Sequence, residues 1–163
     1  MRIHEPSWKS YMVISTEPIF SIDECNKLMK VGRKLPPVDA RIGTTTKEKD
    51  TSKRDHKIRR TDVAWLPFTQ EPWVYTRLEY WMHAVNNKHM GFNQLQIGEN
   101  AQFTFYSKKH HYDWHSDSAY VMDKSPVVRK MSMITLLNDP KEFTGGKLQL
   151  VNDKKSLSLK QGY

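Results

Sequence analysis

At 163 residues, 37% of them hydrophobic and 11% aromatic, the chain is long enough for one domain with one core, which excludes a disordered polypeptide even at a mean hydropathy of -0.74. A formal charge of +8 brings nucleic acid and other acidic partners into consideration, yet the 26 basic and 18 acidic residues are interspersed, as on a solvated surface. The single cysteine, Cys25, excludes an internal disulfide, and no apolar stretch approaches the ~20 residues of a membrane span, so a cytoplasmic protein with no membrane partner is expected.

The opening MRIHEPSWKSYMVIS lacks the apolar run of a signal peptide. Ser21 with Glu24 three residues on is a capping box; Ile22, Cys25, Leu28 and Met29 follow at helical spacing, and Gly32 stands where the helix should stop. Residues 47–60, KEKDTSKRDHKIRR, hold seven basic and three acidic residues and predict an exposed loop running into a strand around Ile58 to Leu66. That loop is either merely solvated or a flap that touches substrate. A second helix should start near Pro72, with Val74, Leu78, Trp81, Met82 and Val85 as its apolar stripe and Asn86-Asn87 at its end. Both stripes read as core packing.

From residue 92 the period shortens to two. Ala101, Phe103 and Phe105 alternate with Gln102, Thr104 and Tyr106, and Tyr112 to Asp117 reads as another strand. Met131 to Leu137 is a continuous apolar run, the pattern of a strand buried on both faces. Asn138-Asp139-Pro140 breaks it and Gly145-Gly146 makes a turn, after which Leu148/Leu150 and Leu157/Leu159 alternate with polar neighbours. Two helices followed by short strands predict a mainly β fold with flanking helices, one domain over residues 1–163. Residues 1–91 would support a core formed by residues 92–163.

The segment YSKKHHYDWHSDS carries the candidate chemistry. His115 and Asp117 are one residue apart on a predicted strand, so both side chains should leave the same face, with Trp114 and Ser116 turned into packing. An imidazole nitrogen beside a carboxylate oxygen is half of a metal site. Two histidines and one carboxylate on one face of an octahedral iron leave three positions for a bidentate 2-oxoacid and dioxygen. Taken alone, His-x-Asp is common, and a surface hydrogen bond is the plain alternative.

The order of landmarks resembles the iron(II)- and 2-oxoglutarate-dependent oxygenases of the prolyl-4-hydroxylase type, bacterial and phage members included. The landmarks are Gln102-Phe103 through Tyr106, Tyr112 through Ser118, Arg129 through Met133, Leu137 through Pro140, and Gly145-Gly146-Lys147-Leu148. The resemblance implies a double-stranded β-helix, or jelly roll. It implies His115 and Asp117 as iron ligands, Tyr106 as the phenol that hydrogen-bonds 2-oxoglutarate, and Ile134 and Leu136 as pocket lining. It also implies Fe(II), 2-oxoglutarate as co-substrate, L-ascorbate, and a protein or peptide substrate hydroxylated on proline or a similar side chain.

The sequence departs from that pattern in one respect. The family's third ligand is a distal histidine followed by a lysine or arginine that grips the co-substrate, and no histidine follows His115 here. His110 and His111 lie too near His115 to replace it; Asp139, Glu142 and Asp153 stand in turn-like contexts. The jelly roll is therefore expected to be incomplete at the C-terminus, with the natural frame continuing past Tyr163. Two other functions are open. One is oxidative demethylation of nucleic acid by the same chemistry, which the positive charge favours; the other is a binding module that kept the fold and lost the metal.

Overall fold

The computed structural model describes residues 12–42, 53–117, 129–150 and 153–163. Two helices and seven short strands occur among them. The helices are α1 (Ile22–Gly32) and α2 (Pro72–Val85). The strands are β1 (Val38–Asp39), β2 (Arg59–Arg60), β3 (Asp62–Leu66), β4 (Ala101–Phe105), β5 (His111–Tyr112), β6 (Leu148–Leu150) and β7 (Asp153–Leu157). They form antiparallel sheets ordered β1-β3-β4, β2-β5 and β6-β7. These small sheets and two helices are compatible with a partial β-rich oxygenase fold. No closed barrel is formed among the described residues.

α1 begins as its sequence dictates. The Ser21 side chain accepts from the Glu24 N–H at 3.2 Å, and the Glu24 carboxylate accepts from the Ser21 N–H at 2.8 Å. These two bonds satisfy amides that the first helical turn leaves without partners. Cys25, Leu28 and Gly32 are buried, whereas Ile22 is 63% exposed and lies outside the stripe expected to pack. Ile22 is the first residue of the helix. Gly32 ends the helix for a packing reason: a Cβ there would lie 2.6 Å from Cδ1 of Phe103. α2 begins at Pro72, whose missing N–H costs nothing in a first turn, and buries Val74, Tyr75 and Met82. Asn86 closes it, exchanging side-chain hydrogen bonds of 2.8 Å with both the N–H and the carbonyl of Phe92.

Both helices lie on one face of the three-stranded sheet. Ala64 pairs with Phe103 and Leu66 with Ala101 across β3 and β4, and cross-strand partners share a face. With Phe20, Cys25, Leu28, Val74 and Tyr75 they make the core. The Tyr75 hydroxyl donates to the Leu66 carbonyl and accepts the Ala101 N–H at 2.8 Å, tying the ends of β3 and β4 to α2. Gln102 and Thr104 project from the opposite face and are exposed, and Tyr106 continues their alternation.

Three expected strands differ in the structure. The strand expected from Ile58 to Leu66 is two strands, because the buried Thr61 is where the chain passes from the β2-β5 sheet into the β1-β3-β4 sheet. Met131 to Leu137 forms no strand: Met133 and Ile134 are 39% and 58% exposed, and Leu136 bonds through its N–H and carbonyl to Tyr163 and Gly162. An apolar run becomes a buried strand only when neighbours cover both its faces, and the described residues leave Ile134 more than half exposed. The third difference is at Tyr112 to Asp117, where only His111 and Tyr112 are in a strand. Of the loop expected at residues 47–60, residues 47–52 lie outside the described residues, and most of residues 53–60 are exposed. Gly145 and Gly146 take the positive φ, 86° and 61°, that glycine favours, next to a bend at Thr144, and β6 pairs antiparallel with β7 with an irregular register at Gln149/Leu150.

Candidate metal centre

Strand β5 is placed by β2: Arg59 pairs with Tyr112 and Arg60 with His111. Two further bonds prolong this ladder. The Asp113 N–H donates to the Ile58 carbonyl at 2.8 Å, and His111 Nε2 lies 3.1 Å from the Lys57 carbonyl. Beyond Asp113 the strand stops because local bonds take over the backbone. The Asp113 carboxylate accepts from the Trp114 N–H at 2.8 Å, and the Asp113 carbonyl faces His115 Nδ1 at 2.7 Å. This turn leaves Trp114 58% exposed, not packed as a strand would have it, and Ser116 is exposed as well.

The turn brings His115 and Asp117 together. His115 Nε2 lies 3.3 Å from Asp117 Oδ1, with the side chains 35% and 46% exposed. The chemistry of this contact follows from the other ring nitrogen. A carbonyl can only accept, so Nδ1 carries the hydrogen, and Nε2 of the neutral ring then offers a lone pair. That lone pair faces a carboxylate oxygen, also an acceptor. Two facing acceptors are reconciled only by a proton on Nε2 or by a cation between them. Two cis ligands with bonds of about 2.1 Å at a right angle have donor atoms ~3 Å apart. The pair therefore fits two positions of a metal site as well as it fits an ion pair. Among the described residues no third histidine, cysteine, aspartate or glutamate joins them.

The other candidates are placed as follows. His110 Nδ1 is 3.2 Å from the Phe105 carbonyl, so both neighbouring histidines are committed to backbone. Asp139 caps the turn at Pro140–Glu142, accepting from the Lys141 N–H at 3.0 Å, and Glu142 accepts from the Asn138 amide at 2.7 Å. Tyr106 is 54% exposed at the end of β4. Its partial burial pushes the phenol above its ordinary value; the nearby Arg59 opposes this and Tyr112 adds to it. The hydroxyl is thus a protonated donor at neutral pH. Leu136 is half-buried and fixed through its backbone, and the half-buried Leu137 packs on the core.

Three contributors were not singled out from the sequence. Tyr112 stacks on His115, ring centroids 3.5 Å apart and planes 10° from parallel. Arg59 lies over the other side of Tyr112 at 4.4 Å and is itself held by Thr61 Oγ1 at 3.1 Å and Gln102 Oε1 at 2.8 Å. Arg129 donates to the Asp117 carbonyl at 3.0 Å and pairs with Glu99 at 2.6 Å, anchoring the carboxylate's backbone. The pairing of Arg59 with Tyr112 spans distant parts of the chain, and no local pattern announces it.

No helix among the described residues is long and apolar enough to cross a membrane. No curated protein and no solved structure matches the chain. Residues 101–162 match the family model of the 2OG-Fe(II) oxygenase superfamily, a stretch that begins at β4 and contains Tyr106, His115 and Asp117. The match supports an oxygenase-type enzyme, an oxidoreductase using iron(II) and 2-oxoglutarate, as the activity to which this part of the chain belongs.

Proposed function

We propose that the protein is an iron(II)- and 2-oxoglutarate-dependent dioxygenase of the prolyl-4-hydroxylase type, hydroxylating a prolyl or similar side chain of a protein or peptide in the cytoplasm. The observation that carries this reading is the facing pair of acceptors, His115 Nε2 and Asp117 Oδ1, within the family-matched stretch. His115 and Asp117 would hold the iron. Among the described residues no third ligand is assigned, so the metal-holding role falls to this pair alone. Iron held there would supply the chemistry by which dioxygen gives one oxygen atom to succinate, as 2-oxoglutarate loses carbon dioxide, and the other to a substrate C–H bond, which becomes C–OH.

The chain's own residues bind and orient. The Asp113 carbonyl fixes the tautomer that presents Nε2. Arg129 holds the backbone of Asp117. Tyr106 donates its hydroxyl to the co-substrate, and Leu136 lines the pocket. Ascorbate would restore ferrous iron after unproductive turnover. A nucleic-acid substrate is the second reading, favoured by the +8 charge; it requires an affinity that falls steeply with salt.

The test is conversion of 2-oxoglutarate to succinate by the natural full-length chain with iron(II) and ascorbate. Turnover is expected even without the correct substrate, and His115→Ala should abolish it. Tyr106→Phe should weaken 2-oxoglutarate binding by the worth of one hydrogen bond, ~0.5–1.5 kcal/mol. Undiminished turnover after His115→Ala would sink the assignment.

A further inference from the structure

We infer that Tyr112 and Arg59 are positioning residues that set the plane of the His115 imidazole, through a three-layer stack of guanidinium, phenol and imidazole. The inference rests on the metal-centre reading above and adds residues to it. A histidine ligand is useful only when its lone pair is aimed, and an imidazole on an exposed turn is free to rotate about χ1 and χ2. The hydrogen bond from Nδ1 to the Asp113 carbonyl fixes one direction of the ring. It leaves rotation about the axis of that bond, and the stack removes it: Tyr112 covers one face of His115 at 3.5 Å with the planes 10° from parallel.

Tyr112 is in turn held from behind. Its backbone is paired in β5 opposite Arg59, and the Arg59 guanidinium lies 4.4 Å from the centre of its ring. A planar cation on an aromatic face is attracted to the ring as well as blocking it. Arg59 is not an arbitrary surface residue. It bonds Thr61, the buried corner between the two sheets, and Gln102 on β4, so the stack is referenced to the rigid sheet and not to the turn. The plane of the imidazole is thereby referenced to Thr61 and β4 through the Arg59 side chain, over the backbone pairing of β2 with β5. Lysine could supply the charge at position 59 but neither the flat face nor the fork that reaches Thr61 and Gln102 together.

The experiment uses the natural full-length chain, metal-free, titrated anaerobically with cobalt(II) and followed by visible absorption. The histidine ring nitrogens are read separately by 15N NMR before metal is added. Tyr112→Leu should weaken cobalt binding by about 10–100-fold, the usual effect of losing a group that orients a ligand. It should leave His115 in the single Nδ1–H tautomer, which the Asp113 carbonyl sets, whereas collapse of the turn would give a mixture. Tyr112→Phe, which keeps the stack, should behave as the parent in both. Arg59→Met should weaken cobalt binding less than Tyr112→Leu and more than Arg59→Lys, and it gives the same readings if Tyr112→Leu does not fold. Parental cobalt affinity in both Tyr112→Leu and Arg59→Met, with His115→Ala unable to bind, overturns the positioning role and leaves the metal centre standing. Parental affinity in His115→Ala itself overturns the metal centre, and the positioning role with it.

Discussion

The helix-covered face of the β1-β3-β4 sheet and the turn that follows β5 are built on opposite terms. On the sheet, Leu66, Ala64 and Cys25 are 0% exposed, and the apolar side chains there hold the layers together. In the turn, His115, Asp117 and Trp114 are all exposed, and order comes from hydrogen bonds to backbone, one ring stack and one arginine anchor. Stability therefore resides mainly in the first region, and the candidate chemistry in the second, with Arg59 and Thr61 joining them. Substitutions should separate along that line.

The largest effect on folding is expected from Leu66→Ala. Leu66 is fully buried and packs where β3, β4 and α2 meet, so truncation should cost ~2–5 kcal/mol in denaturant unfolding, lost transfer energy plus the cavity left behind. A cost below about 1 kcal/mol would show that the core does not lie where the contact cluster puts it.

A smaller, pH-dependent effect is expected at the start of α1. The Ser21 N–H, and then Arg77 at 3.0 Å, hold the Glu24 carboxyl below its ordinary value. A carboxylate whose folded value is depressed adds stability above its unfolded value, and that stability is lost as the pH falls through the folded one. Stability should thus drop on acidification from about pH 5 downward, the unfolded glutamate titrating near 4.3. Glu24→Gln should be less stable than the parent at neutral pH and converge with it at low pH. Parallel pH–stability curves would break the assignment. Ser21→Ala removes the other half of the box and should cost ~0.5–2 kcal/mol.

What could be read from the sequence follows the same division. The capping box, the start of α2 at Pro72 and the alternation of β4 are local signals, and the structure bears them out. The unusual backbone at Gly145-Gly146 is equally local, although it takes the form of two positive φ values and not of a regular turn. What failed depended on partners distant in the chain. Ile58 to Leu66 reads as one strand, but it switches sheets at Thr61 because β5 and β4 claim its two halves. Ile22 fits the period of α1 yet has no neighbour to cover it. At the candidate site the i, i+2 spacing anticipated that His115 and Asp117 would meet, although a turn, not a strand, brings them together. Tyr112 and Arg59 were missed because an aromatic far along the chain from its cation has no signature in either segment.

The smallest effect is the most discriminating. His115→Ala, measured by denaturant unfolding of the metal-free protein, should change stability by no more than about 0.5 kcal/mol in either direction, as exposed substitutions do. The ring loses its stack on Tyr112 and its bond to the Asp113 carbonyl, but the facing acceptors at 3.3 Å disappear too, and these terms oppose one another. With cobalt(II) added the two proteins should part. A ligand that binds only the folded state stabilises it by RT ln(1 + [L]/Kd), about 2.7 kcal/mol at a hundred times Kd, so the full-length parent should gain that much and His115→Ala almost nothing. A variant strongly destabilised without metal would make His115 a packing residue of the turn, and the boundary between a folding region and a chemical region would have to be redrawn around it.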